Sequence, residues 1–314
     1  MNALPYLDAA TVARLVPMGR AVDVLEDALR AGLDPEATPQ RPIADLPAGQ
    51  LLLMPAAAGR YAGVKAVTVA PGNPERGLPR IQGAYLLFDG ETLAPLAMLD
   101  GSALTSLRTP AVSALAVRHL AEPQARRLVV FGSGPQAWGH VLALREVRPV
   151  EDVTVVGRDL ARAEALAGRC RDLGLTARGL PSARHEAVAD EVARADLVAC
   201  CTTSREPLFP GRLARDGATV VAVGSHEPDA REIDDDLVAR ATVVVEARTS
   251  ALEEAGDILL PIHRGTITSR HLAGTLADLA AGRVTAGPGP RVFKSTGMAW
   301  EDLVVAAAAY EAWT

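Results

Sequence analysis

The chain of 314 residues has a net charge of −6 and no basic cluster, which argues against nucleic acid as a partner. Half its residues are hydrophobic but only 4% are aromatic, so the core is aliphatic, which suits buried parallel strands under Ala-rich helices. The length accommodates two domains of ordinary size.

The N-terminal stretch MNALPYLDAATVARL has neither a basic start nor an apolar h-region, so no secretory signal is expected there. The longest apolar run, near residues 303–310, is too short to span a membrane. A cytoplasmic location follows as an expectation. Cys170, Cys200 and Cys201 then read as reduced, buried hydrophobes. No Cys or His spacing suggests a metal site.

Residues 17–31 predict a helix. Pro17 suits its first turn, Val22, Leu25 and Leu29 share a face, and Gly32 ends it. Short apolar runs follow at 51–56, 63–70, 84–88 and 94–100, with Asp89-Gly90 as a hairpin signal. This meander predicts an antiparallel or mixed sheet. Residues 109–120 predict a helix with Thr109 as N-cap and Pro110 at its first position. AEPQA at 121–125 then marks a domain boundary.

Beyond it, apolar strands at 127–134, 152–159, 195–204, 218–225 and 241–247 alternate with helices near 135–147 and 161–174. That alternation is the signature of a parallel α/β sheet. The run Asp234-Asp235-Asp236 reads as a helix start, and EEAGD at 253–257 as a helix end and turn. From about 291 the pattern stops, and a helical tail is expected to return to the first domain. The fold class is therefore α/β, with domains at 1–120 plus 291–314 and at 121–290.

VVFGSGPQAWGH at 129–140 carries G-x-G-x-x-A between a strand and a helix. Gly132 permits the tight turn, Gly134 lets the backbone approach a pyrophosphate, and Ala137 allows close helix packing. The next strand ends VTVVGRD, with Gly157 where an NAD site has an acidic residue, followed by Arg158. Arginine pairs with a 2′-phosphate, so NADP(H) is favoured over NAD(H), although Asp159 offers an alternative ribose ligand. Strand ends place Thr202, Thr203, Ser204, Val223, Gly224 and Ser225 near the nicotinamide half. Thr109 and Pro135 join the candidate cofactor contacts.

Arg41, Lys65 and Arg108 are the notable cations of the first segment. Lys65 lies inside an apolar strand, where an unpaired charge is costly, and Arg108 directly precedes the expected helix start, whose N-terminus attracts anions. Together they suggest a clamp for a carboxylate. His119, His140, His185, His263 and His271 are scattered without ligand spacing and read as structural or surface residues.

GVKAVTVAPGNPERGLP, LDGSALTSLRTPAVSALA, VVFGSGPQA and VFKSTGMAWEDL resemble the ornithine cyclodeaminase and mu-crystallin family, in order and over roughly residues 40–310. The resemblance implies a Rossmann domain inserted into a mixed α/β substrate-binding and dimerisation domain, and commonly a homodimer. It implies that Arg41, Lys65 and Arg108 hold the substrate carboxylate, with Lys65 also near the reacting amine or imine. Met54 matches a pocket residue. Gly132, Gly134, Gln136 and Ala137 match the dinucleotide loop, and Lys294 and Ser295 match a KS motif near the cofactor.

One departure stands out. Ornithine cyclodeaminases have a stretch resembling V-G-G-D-C-P-G-K, whose aspartate is the acid/base residue. Here VGSHEP places His226 at that point, and PDARE at 228–232 follows the mu-crystallin pattern. The resemblance therefore leans toward an NAD(P)H-dependent reductase of small cyclic ketimine acids, of pyrroline-2-carboxylate or piperideine-2-carboxylate type, with His226 as candidate proton donor. An ornithine cyclodeaminase, an amino-acid dehydrogenase and a non-catalytic NADP(H)-dependent binding protein are the alternatives.

Overall fold

The structure, a computed structural model, describes residues 4–314. The chain forms two compact units, one ending at Val112 and resuming at Met298, the other running from Ser113 to Gly297. Elements of the first unit are β1 (Tyr6–Leu7), α1 (Ala9–Leu15), α2 (Met18–Arg30), β2 (Ile43–Leu46), β3 (Gly49–Ala58), β4 (Tyr61–Val69), β5 (Ile81–Asp89) and β6 (Pro95–Asp100). Helix α3 (Gly101–Leu120) runs from the first unit into the second. The second unit continues with β7 (Arg127–Phe131), α4 (Pro135–Val147), β8 (Asp152–Gly157), α5 (Leu160–Asp172), β9 (Thr176–Pro181), α6 (His185–Arg194), β10 (Leu197–Cys200) and β11 (Thr219–Ala222). It ends with α7 (Asp235–Arg240), β12 (Thr242–Val245), α8 (Arg248–Glu254), α9 (Gly256–His263), β13 (Leu272–Thr275), α10 (Leu276–Ala280) and β14 (Arg291–Lys294), and α11 (Ala299–Trp313) returns to the first unit.

The first unit is a six-stranded sheet in the order β1-β6-β5-β4-β3-β2, antiparallel except where β1 joins β6. Its alternating side chains give two faces. One carries Leu52, Met54, Val67, Tyr85, Leu87 and Leu99, all buried, and α11 packs against β3, β4 and α2. The opposite face has the cross-strand row Tyr6, Met98, Leu86, Val64 and Pro55. Tyr6 and Met98 of that row are exposed, as is Leu53 on the same face.

Helix α2 follows the expected signals: Pro17 is its N-cap, Val22, Leu25 and Leu29 are buried, and Gly32 takes a left-handed φ of 97° just past its end. Helix α3 departs from expectation. It begins at Gly101, with Asp100 Oδ1 accepting from Ala103 N at 2.9 Å, so Pro110 lies inside the helix and Thr109 is not its N-cap. Arg108 consequently sits in mid-helix, and no helix N-terminus beside it attracts an anion.

The second unit is an eight-stranded parallel sheet in the order β13-β12-β14-β11-β10-β7-β8-β9. Strand β7 has β8 on one side and β10 on the other, which makes it the topological switch point. Strand β14 pairs with both β11 and β12 inside this sheet. The boundary expected at 291 therefore moves to 297/298, and residues 113–120 also belong to the second unit. A strand as short as RVFK resembles loop sequence until its neighbours are known. Strands β1, β9 and β13 and helix α6 were likewise not anticipated.

Candidate functional site

In the first unit, sheet register assembles the anion-binding candidates. Met54 lies directly opposite Lys65, and Lys65 directly opposite Tyr85. Leu53 N donates to Pro42 O at 3.0 Å, which puts Arg41, half-buried, at the Met54 end of the same row. Lys65 is 1% exposed. Its Nζ donates to Asp302 Oδ2 at 2.7 Å and to Thr105 Oγ1 at 3.0 Å.

Arg108, from α3, reaches the same place. Its Nη1 donates to Glu301 Oε2 at 2.6 Å and its Nε to Asp302 Oδ1 at 3.3 Å. Two cations and two carboxylates thus share one buried cluster, with the Asp302 carboxylate bridging Lys65 and Arg108. Burial lowers the Lys65 pKa to about 8, Asp302 opposes that shift, and the Arg108 charge adds to it. Sequence reasoning found Lys65 and Arg108 but not Glu301 and Asp302, although WEDL was in view. Their distance along the chain hid the pairing.

In the second unit, the turn after β7 has the geometry a pyrophosphate needs. Gly132 has φ 112°, and a Cβ there would stand 2.6 Å from Cys201 O. Gly134 is the N-cap of α4 and makes no side-chain cap. A Cβ on Gly134 would meet nothing within 4 Å, so the helix N-terminus and its backbone N–H groups stand open to an anion. Ala137 is buried, Pro135 is exposed at the helix start and Gln136 is half-buried. These residues fit a dinucleotide. Among the described residues no group of His, Cys, Asp and Glu is placed to hold a metal ion.

At the end of β8, Gly157 is buried and Arg158 exposed. A Cβ on Gly157 would lie 3.8 Å from Ser133 Oγ. Asp159 is the N-cap of α5, where its Oδ1 accepts from Ala161 N at 2.9 Å and Arg162 N at 3.2 Å. That capping role weakens its claim to be a ribose ligand.

The strand ends beyond β10 and β11 are joined by a carboxylate that sequence reasoning missed. Glu232 is fully buried. Its Oε1 accepts from Thr202 N and Thr202 Oγ1, both at 2.7 Å, and its Oε2 from Gly224 N at 2.7 Å. A Cβ on Gly224 would lie 1.9 Å from Thr202 O, so only glycine fits. Asp257 Oδ1 accepts from Glu232 N at 2.7 Å and Ile233 N at 3.0 Å. Lys294 Nζ meets Asp257 Oδ2 at 2.8 Å and donates to Ser225 O at 2.6 Å. Burial raises the Glu232 pKa while Lys294 lowers it.

Several expected cofactor contacts therefore have internal partners. The Thr202 hydroxyl faces Glu232, and Ser225 Oγ donates to Ala230 O at 2.8 Å. Ser295 Oγ donates to Glu246 Oε1 at 2.5 Å, and Lys294 is fully buried. Ser204 Oγ donates to Glu206 O at 2.7 Å, Thr203 is exposed and Val223 half-buried. Thr109 is buried within α3. The run at 253–257, read as a turn, supplies Asp257, the partner of Lys294. His226 is exposed on the loop after β11. Arg205 braces that loop from outside, pairing with Glu227 at 2.6 Å and with Asp229. His140 is buried, with Nδ1 2.8 Å from Gln136 O and Nε2 2.9 Å from Ser113 Oγ, and burial lowers its pKa to about 4. It is neutral at ordinary pH and structural in role.

Residues 7–314 match the model of the ornithine cyclodeaminase/mu-crystallin family. Over 266 residues the chain is 36% identical to a Δ1-pyrroline-2-carboxylate reductase of Bacillus cereus, covering 83% of this chain and 80% of the relative. It is similar to the Thermococcus litoralis Δ1-pyrroline-2-carboxylate reductase solved with NADH and L-proline, at 30% identity and a TM-score of 0.91, covering 98% of this chain and 97% of that one. An archaeal alanine dehydrogenase dimer with bound NAD matches at 29% identity and a TM-score of 0.89, over 98% of this chain and 95% of that one.

Proposed function

The chain belongs to the ornithine cyclodeaminase/mu-crystallin family, and we propose that it is an NAD(P)H-dependent reductase of small cyclic ketimine acids. Pyrroline-2-carboxylate and piperideine-2-carboxylate are the candidate substrates. The observation that carries this reading is the loop after β11. It holds Ser225, His226 and Glu227, where the resemblance to cyclodeaminases implies an aspartate that serves amine deprotonation. The Bacillus cereus and Thermococcus litoralis relatives support the same direction.

A bound reduced nicotinamide supplies hydride to an electrophilic carbon. The first unit supplies the anion site: Lys65 and Arg108, with Arg41 at the end of their row, hold the substrate carboxylate and so orient the ring. In the second unit the open N-terminus of α4 would hold the pyrophosphate, and the backbone around Gly224 would line the nicotinamide. His226 is the candidate proton donor of this reading, since protonation of an imine makes its carbon electrophilic. Substituting His226→Ala is expected to lower kcat and flatten its pH profile. An unchanged profile removes the donor role.

NADP(H) is the favoured cofactor. Gly157 leaves space beside Ser133, Arg158 is exposed at the strand end, and Asp159 caps α5. The protein is further proposed to work in the cytoplasm as a homodimer. The apolar outer row Tyr6–Met98–Leu86–Val64–Pro55 supports the dimer, as does the dimeric alanine dehydrogenase relative. Among the described residues no helix is long and apolar enough to cross a membrane.

A spectrophotometric screen tests the proposal. NADPH and NADH oxidation are followed with pyrroline-2-carboxylate, piperideine-2-carboxylate and pyruvate plus ammonia, and proline formation from ornithine is followed with catalytic NAD⁺. Turnover confined to the cyclic imines supports the reductase. Turnover of ornithine, or of pyruvate with ammonia, replaces it with a cyclodeaminase or an alanine dehydrogenase.

A further inference from the structure

We infer that Asp302 is the positioning residue of the anion site, its carboxylate setting the separation and orientation of Lys65 and Arg108 for a substrate carboxylate. This rests on the reading that these two cations bind substrate. Both oxygens of Asp302 are engaged by different cations, Oδ2 by Lys65 Nζ at 2.7 Å and Oδ1 by Arg108 Nε at 3.3 Å. The two cations come from β4 and α3 and would repel one another without an anion between them. Asp302 comes from α11, near its N-terminal end, and is fully buried. At that burial, bulk water does not screen the two charges from one another.

The Lys65 ammonium has three N–H donors. Asp302 and Thr105 accept two of them, in fixed directions, which aims the third. The groups packed around Lys65 are Asp302 and Glu301 from α11, Arg108 and Thr105 from α3, Met54 from β3 and Tyr85 from β5. Of the charged ones, Asp302 and Glu301 favour the ammonium form, and Arg108 opposes it. With burial holding the Lys65 pKa to about 8, the ammonium persists near neutral pH because those carboxylates are present.

A positioning role and a bare charge effect of Asp302 change KM in opposite directions. Asp302→Asn raises the net charge of the cluster by one unit. If charge alone mattered, an anionic substrate would bind better and KM would fall. If Asp302 positions the cations, KM rises on the order of 10-fold or more, because the amide oxygen serves only one cation and the NH₂ group faces the other.

The experiment uses the full-length protein, with steady-state NADPH oxidation and pyrroline-2-carboxylate as probe. The expected result for Asp302→Asn is a raised KM, with the alkaline limb of kcat/KM moved to lower pH as Lys65 loses a stabilising anion. The Kd for NADPH, read by fluorescence, is expected to stay unchanged and reports that the chain is folded. Asp302→Glu keeps the charge and moves the carboxylate by one methylene, so it carries the test if the Asn variant does not fold. KM is expected to rise there too. An unchanged or lower KM in either folded variant, with the alkaline limb in place, overturns the inference. Lys65→Met separates the two levels: raised KM there with unaltered Asp302 variants refutes Asp302 alone. Unaltered KM in Lys65→Met removes the substrate reading and the inference with it.

Discussion

Replacing Lys294 by methionine tests the buried tie behind the loop that bears His226. Lys294 is fully buried, its Nζ 2.8 Å from Asp257 Oδ2 and 2.6 Å from Ser225 O. Removing it leaves two buried carboxylates, Asp257 and Glu232, without their cation. Breaking a buried pair by removing one partner costs about 3–5 kcal/mol. At ~2–4 °C per kcal/mol for a unit of this size, Tm falls by about 6–20 °C.

The loss also depends on pH, and its sign follows from Glu232. Burial holds its pKa above the ordinary value, and Lys294 partly offsets that shift. Without Lys294 the pKa rises further. The folded variant then binds a proton that the unfolded chain has released. The destabilisation therefore grows as pH rises above the ordinary Glu range and levels off above the raised pKa. Scanning fluorimetry of Lys294→Met at pH 5, 6, 7 and 8 measures this. In the double variant Lys294→Met/Asp257→Asn, the amide oxygen still accepts from Glu232 N and Ile233 N, so part of the loss is recovered. A Tm loss below ~2 °C, or one independent of pH, refutes the reasoning, because it would mean the pair contributes less than a surface bridge.

Three further outcomes are expected. Gly224→Ala places a Cβ 1.9 Å from Thr202 O and separates the strand ends that Glu232 joins, so NADPH affinity falls while the far-UV circular dichroism stays the same. Arg158→Ala raises KM for NADPH on the order of 10–100-fold, the worth of one hydrogen bond to a charged group, and leaves NADH nearly unaffected; equal losses for both cofactors would place Arg158 away from the 2′-phosphate. Leu53→Glu with Met98→Glu puts charge on the exposed apolar face of the first sheet, and light scattering is expected to show that the variant loses the proposed dimer; equal masses for variant and parent would remove this face from the interface.

Much of the fold was legible because each unit has a strong period. The apolar runs and the Asp89-Gly90 turn in the first unit, and the strand–helix rhythm from β7 to α5 in the second, are local signals. Strand β14 was not legible. It is four residues long, and its neighbours β11 and β12 lie far back in the chain. Helix α3 was misread at its start because Thr-Pro is a common helix opening, whereas here Asp100 caps the helix and Pro110 is carried inside it. The cations of the anion site were visible as charges in apolar sequence. Their carboxylate partners were not, since Lys65 and Asp302 meet across most of the chain. The same holds for Lys294 with Asp257, and for Glu232 with Thr202. A long-range buried pair leaves a local signature of one odd charge, and its partner emerges only from the fold.

The most direct test of the central claim follows the hydride itself. Pyrroline-2-carboxylate is reduced with NADPH deuterated at the transferable position of the nicotinamide C4, and the product is analysed by mass spectrometry and proton NMR. The expected product is L- or D-proline carrying one deuterium at Cα for each cofactor oxidised. Proline formed from ornithine with no net cofactor oxidation, or no deuterium at Cα of the product, would contradict the claim.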